Sequence, residues 1–189
     1  MRERLLVAAE EIIRSDDATR LTVSDIAAAV GMGQSNVYRY VRSRHHLVEL
    51  MAQRWFGAIE AAVAGAIAGA TNPQDRIARW VIETMEQKTA RYDHDPALFR
   101  AYLDLAKGHD AVVTAHVGRL RELVKPSVAA LVGQWHVPAA LDLLEDATAQ
   151  FRTPHLIVLY RPRMTAERAM AVVDAVLLKF AALSQPRQR

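Results

Sequence analysis

Between Gln34 and His46 the chain carries three arginines, two histidines and no acid. Over residues 1–50 as a whole the charge is balanced, with Arg2, Arg4, Arg14, Arg20, Arg39, Arg42 and Arg44 against Glu3, Glu10, Glu11, Asp16, Asp17, Asp25 and Glu49. Gln34, Ser35 and Asn36 bring short side chains that donate and accept hydrogen bonds. Tyr38, Arg39 and Tyr40 add a hydroxyl, a cation and a second hydroxyl, and Arg44 a further cation. This is chemistry suited to nucleic acid: guanidinium and hydroxyl groups hold phosphate oxygens, while amide and hydroxyl side chains match the donors and acceptors on base edges.

Other chemistries are poorly provided for. The chain has no cysteine, which excludes disulfides, thiolate nucleophiles, iron–sulfur ligation and cysteine zinc sites. No glycine-rich phosphate loop, Gly-x-Ser-x-Gly elbow or His-Glu-x-x-His motif occurs. The seven histidines (45, 46, 94, 109, 116, 136, 155) include no pair at i and i+4, so no one helix face offers two imidazoles. The sequence is therefore expected to describe a protein that is not an enzyme, with no cofactor and no metal.

The segment is set between helix signals. Apolar residues recur at three and four throughout the 189 residues, and alternating patterns are rare, so the fold is expected to be all-α, with nine or ten helices and no sheet. A first helix spans about Arg2 to Arg14, with Leu5, Ala9, Ile12 and Ile13 on one face and Ser15-Asp16-Asp17 as a breaker. Thr22-Val-Ser-Asp25 has the form of a capping box. It starts a helix that carries Ile26, Ala27 and Val30 inward and stops at Gly31. A second short helix runs from about Gln34 to Tyr40 with Val37 inward, and Ser43 caps a long helix towards Gly69. Two helices joined by a tight glycine turn are the layout of a helix-turn-helix, whose second helix enters the major groove.

Later boundaries are marked by Thr71-Asn72-Pro73, Asp93-His94-Asp95-Pro96, Lys107-Gly108 and Val137-Pro138. They predict helices near 73–91, 95–106, 109–135 and 138–160. Pro126 and Pro154 lie inside two of these and must kink or split them. A last helix covers Ala166 to Leu183, ahead of a polar tail.

On these residues the segment resembles the DNA-binding motif of the TetR family of transcriptional regulators. Thr22, Ile26, Ala27, Gly31, Tyr38, Tyr40, Ser43, Arg44 and Leu47 match its pattern, over about residues 5 to 55. Three departures stand out: Val41 where the family usually has Phe, His45-His46 where an acidic pair commonly follows the cap, and Gln34 where the recognition helix often carries Lys. The first two are expected to loosen local packing and capping, the third to remove a phosphate contact.

The resemblance implies an N-terminal three-helix DNA-binding domain over 1–46, a helical ligand-binding and dimerisation domain over 47–185, and a tail at 186–189. It implies a cytoplasmic homodimer that binds double-stranded operator DNA through Thr22, Gln34, Ser35, Asn36, Tyr38, Arg39, Tyr40 and Arg44, and that leaves it when a small-molecule effector binds. Candidate effector contacts are Trp80, Met85, Tyr102, His116, Trp135, Phe151 and His155, chosen as large or polarisable groups of the second domain. With acids sparse among them, the effector is expected to be uncharged or anionic and partly apolar. Phe151, Ile157, Val158, Val173, Val176, Leu177 and Phe180 form the stripes expected at the dimer interface. A net charge of +3 suits an anionic partner. The longest weakly polar stretch, Ala58 to Ala70, contains Glu60 and falls short of the ~20 residues of a membrane span. A helical adaptor, or an enzyme without DNA binding, is the alternative reading.

Overall fold

The computed structural model describes residues 1–15 and 21–184. Most of the Ser15-Asp16-Asp17 breaker and the polar tail lie outside them. The helices are α1 (Arg2–Ser15), α2 (Val23–Ala29), α3 (Gln34–Val37), α4 (Arg44–Ala68), α5 (Pro73–His94), α6 (Pro96–Ala106), α7 (Asp110–Val132), α8 (Val137–Arg152), α9 (Pro154–Tyr160) and α10 (Ala166–Ser184). No strand occurs among the described residues, and no described helix is long and apolar enough to cross a membrane.

Caps and prolines set the boundaries. The Asn72 side chain accepts from the Asp75 amide at 2.8 Å, and Asp95 accepts from the Leu98 amide at 2.9 Å, each satisfying an amide that has no intrahelical partner. Pro154 is the first residue of α9 after an extended Thr153, so the stretch expected at 138–160 becomes two helices. Pro126, by contrast, is accommodated inside α7, which continues through it.

The chain packs as two compact units. One comprises Met1–Gly57 with Tyr92–Ala115. Its core joins Leu5, Ala9 and Ile13 of α1 to Leu21, Ile26, Val37, Val41, Leu47 and Met51, and takes in Tyr102 and Leu105 of α6. α6 is fastened to α1 by polar contacts as well: the Tyr102 hydroxyl donates to Glu10 at 2.5 Å, and Arg14 pairs with the α6 cap Asp95 at 2.7 Å. Trp55 of α4 stacks on Tyr102, with ring centroids 5.3 Å apart, and meets the edge of Phe99.

The other unit comprises Ala58–Arg91 with His116–Arg189. Its interior is built from Ile77, Trp80, Val81, Met85, Leu120, Val124, Val128, Leu144, Phe151, Ile157, Val173 and Phe180, with α8 packed on α10. The Trp80 indole donates to the Leu120 carbonyl at 2.8 Å, and the Arg152 guanidinium lies 4.3 Å over its ring. Both the polar edge and the face of this buried ring are thereby satisfied.

Candidate DNA-binding interface

The reading segment is held by local chemistry before any long-range contact. Thr22 is extended, and its hydroxyl oxygen accepts from the Asp25 amide at 3.2 Å while Asp25 accepts from the Thr22 amide at 3.1 Å. α2 therefore starts where the capping box requires. It ends at Val30 and Gly31, and Gly31 has φ of 68°. A side chain there would be strained, which is why the turn uses glycine.

α3 is four residues long, shorter than the expected run to Tyr40. After Val37 the amides of Arg39 and Tyr40 reach back three residues, to Asn36 and Val37, so the backbone tightens into a turn and carries Tyr38, Arg39 and Tyr40 beyond the helix proper. Val37 and Val41 are fully buried on either side of this turn and anchor it.

Ser35, Asn36, Tyr38, Arg39 and Tyr40 are all exposed. Tyr38 keeps 50% of its surface and Tyr40 36%. Among the described residues none of these five side chains is committed to a protein hydrogen bond or ion pair. They form a contiguous set of two hydroxyphenyl groups, a guanidinium, an amide and a hydroxyl, all free to meet a ligand.

The other three expected contacts are partly engaged. The Gln34 amide donates to the Ser24 hydroxyl and so ties α3 to α2. The Thr22 hydroxyl donates to Asp25 at 2.6 Å. Arg44 donates through Nε to the Leu21 carbonyl at 2.9 Å, which fixes the entry to α2 while its side chain stays exposed.

Two departures from the family pattern have definite places in the fold. Val41 is fully buried in the core of the first unit. His46 takes over a capping task, since its Nδ1 accepts from the Arg42 amide at 3.1 Å while its own amide donates to the Ser43 hydroxyl at 3.1 Å. An imidazole nitrogen here does the work of a carboxylate oxygen.

The expected effector contacts do not converge. Trp80, Met85 and Phe151 are buried in the core of the second unit, and Tyr102 belongs to the first. Trp135 is 96% exposed, on a 3₁₀ turn over Gln134–His136, and His155 is exposed.

His116 is buried. Its Nδ1 lies 2.7 Å from Glu60, which also accepts from Arg119 at 2.6 Å. Burial drives the His116 imidazole down to about 4 against the opposing pull of the Glu60 hydrogen bond. Near neutral pH it is therefore an uncharged donor to Glu60. Burial alone would raise the Glu60 carboxyl, but the hydrogen bonds from Arg119 and His116 outweigh it and lower it.

Of the expected interface stripe, Phe151, Ile157, Val173, Val176 and Phe180 are buried within the protomer, and Val158 and Leu177 are half-buried. The periodicity marked the inward faces of these helices correctly, but those faces meet their own chain. The large apolar side chains left exposed on α8, α9 and α10 are Leu143, Leu159, Tyr160 and Leu178. Leu178 borders an open cavity of about 530 Å³, lined also by Gln74, Leu131, Asp174, Leu177, Phe180 and Ala181.

One notable residue was missed. Lys88 of α5 is buried, and its ammonium donates to the Arg152 carbonyl at 2.7 Å. No carboxylate pairs with it among the described residues. Burial, helped by the charge of Arg152, brings it down to about 7. Its register gave the signal: Lys88 continues the inward spacing of Ile77, Val81 and Thr84.

Residues 5–51 match the family described as bacterial regulatory proteins, tetR family, and residues 73–173 match the tetracyclin repressor-like C-terminal domain. No protein of curated function matches by sequence. Among solved structures, a Pseudomonas aeruginosa protein described as a transcriptional regulator shares 15% identity over 96% of this chain and 90% of its own, with a TM-score of 0.69. A regulator of fatty acid degradation from Bacillus halodurans shares 18% identity over 100% of this chain and 97% of its own, at a TM-score of 0.60. A Dietzia repressor implicated in n-alkane biodegradation shares 16% identity, covering 97% of each chain, at a TM-score of 0.59.

Proposed function

The chain belongs to the TetR family of bacterial regulatory proteins and is a DNA-binding transcriptional regulator, and from that premise we propose that it is a cytoplasmic, homodimeric repressor released from its operator by a small molecule. The division of labour is the one read from the sequence: DNA contact within 1–46, effector binding and dimerisation within 47–185. One observation carries the reading. Ser35, Asn36, Tyr38, Arg39 and Tyr40 stand exposed and uncommitted around a turn whose backbone is pinned by Val37 and Val41. A rigid frame presenting unengaged polar groups meets the requirement for reading base edges and clamping phosphates with little ordering cost.

Dimerisation is assigned to the exposed side chains of α8, α9 and α10, namely Leu143, Leu159, Tyr160 and Leu178. A twofold protein doubles the contact made by one short helix and matches two half-sites. The effector is assigned to the class of partly apolar molecules with an anionic or uncharged head. Lys88 supports this, as a buried cation with no carboxylate paired to it among the described residues, whereas the half-buried Arg152 has the Glu145 charge nearby.

The test is binding of the purified protein to the DNA flanking its own gene at two salt concentrations, beside Tyr38→Ala and Arg39→Ala. Tight, sequence-selective binding that weakens by ~1–3 kcal/mol in either variant is the expected result. Weak binding, equal on unrelated DNA and unaltered in both variants, would remove the assignment of this segment as the reading head.

A further inference from the structure

The residue that departs from the family pattern beside His46 has a different environment. His45 stands one turn before Glu49 on α4, with Nε2 3.4 Å from a Glu49 carboxylate oxygen. Its ring is stacked on that of His109, at a centroid distance of 4.1 Å and an interplanar angle of 22°. His109 comes from the junction of α6 and α7, sixty-four positions away in sequence, and lies in the same compact unit. We propose that His45, Glu49 and His109 form a binding site for one divalent transition-metal ion of the zinc type.

Three observations carry this. First, one ligand atom from each of the three residues lies within 4.8 Å of the others. Donors around a tetrahedral ion with ~2.1 Å bonds stand roughly 3.4 Å apart, so small side-chain rotations close the site. His45 is exposed and Glu49 half-buried, which leaves both free to make them.

Second, Nδ1 of His109 is buried and has no hydrogen-bond partner. A structural histidine of this kind ordinarily places that nitrogen on a carbonyl, a carboxylate or a water, because an unsatisfied buried polar atom is costly. The arrangement is thus incomplete as a purely structural one.

Third, the donor set has a definite preference. Two imidazoles and one carboxylate suit zinc and its first-row neighbours, and leave a fourth position open, whereas magnesium and calcium favour oxygen ligands throughout.

The ion would clamp the first two turns of α4 to the start of α7, directly after Ser43 and Arg44. It would fix the helix that follows the reading turn within its own unit.

The experiment uses the tag-free, metal-stripped full chain, titrated with Zn²⁺ by calorimetry and with Co²⁺ by visible absorption, beside His45→Ala, Glu49→Gln, His109→Gln and the exposed control His155→Ala. The expected result is one Zn²⁺ per chain, Co²⁺ bands of a four-coordinate site with nitrogen and oxygen ligands, and a raised melting temperature with Zn²⁺. Each of the three ligand variants should weaken binding by roughly tenfold or more, with His155→Ala unchanged, because the ion keeps only two protein donors. Absence of saturable binding in the native chain would overturn the proposal. So would Zn²⁺ binding that all three ligand variants retain at full strength.

Discussion

Thr22 and Asp25 cap one another: each side chain accepts from the other's backbone amide, at 3.2 and 3.1 Å, and the Thr22 hydroxyl donates to the Asp25 carboxylate at 2.6 Å. The hydroxyl is engaged within the protein, so its first role is to start α2. Thr22→Ala should cost about 1 kcal/mol of stability, seen as a lower urea midpoint, and Thr22→Ser should restore most of it. With the hydroxyl already engaged, DNA affinity measured where the variant is fully folded should be unchanged, and a loss of about 1 kcal/mol in binding would instead make Thr22 a DNA ligand.

A second prediction concerns acid. His116 donates to Glu60 in a nearly dry site and is held down to about 4 by burial, while an exposed imidazole titrates near 6.5. A lowered folded value means the unfolded chain takes up protons first. The contribution is therefore complete above about pH 6.5 and is lost as pH falls through 6.5 towards 4. The size is roughly 3 kcal/mol, the product of the shift and ~1.4 kcal/mol per unit. Chemical denaturation at pH 7.0 and pH 4.5 should show His116→Gln losing less stability than the native chain across that interval. Equal losses would mean that His116 is not the titrating group.

The helices were legible because their signals are local. Thr22, Asn72 and Asp95 cap, Gly31 turns, and Pro154 starts a helix, and each acts through its own or the next few residues. The exposed set at Ser35, Asn36, Tyr38, Arg39 and Tyr40 was legible for the same reason, since a short polar run beside a buried valine has little choice of face. What periodicity could not convey was which copy of the chain covers an apolar face. Val173, Val176 and Phe180 satisfy a helical stripe equally well against their own core or a partner's. Nor could spacing show that His109 comes to lie on His45, because that contact joins two helices far apart in sequence. Lys88 was hidden by its type, a cation being read as surface until its register is checked.

The dimer assignment gives a third prediction. Leu178 is 75% exposed on α10 and borders the cavity lined by Leu131, Leu177 and Phe180, which places it on the surface assigned to the partner. Leu178→Glu should move the protein from dimer towards monomer in sedimentation at micromolar concentration, while its helical circular dichroism stays unchanged. The same substitution at Leu143, 37% exposed on α8, should act in the same direction but less strongly. A native dimer that both variants leave intact would place the interface elsewhere.

The last prediction turns on Lys88. Its folded value of about 7 lies below the ordinary 10.5, burial being the first cause and the charge of Arg152 the second. For a cation the sign is that the charged form is penalised in the folded state. The penalty is complete below pH 7 and is relieved as pH rises from 7 towards 10.5, where the folded chain has released a proton that the unfolded chain still holds. Lys88→Met removes the charge and keeps the length of the side chain. It leaves the Arg152 carbonyl without the ammonium donor, at a cost of about 1–3 kcal/mol, which is smaller than the relief of burying a charge with no carboxylate beside it. The variant should therefore melt higher than the native chain at pH 6, and the difference should shrink steadily as the comparison is moved to pH 9. It should also fail to respond to anionic effectors that release the native protein from DNA, since the cation that would receive their head group is gone. Stability gained together with response lost would identify Lys88 as the group that receives an anionic head group.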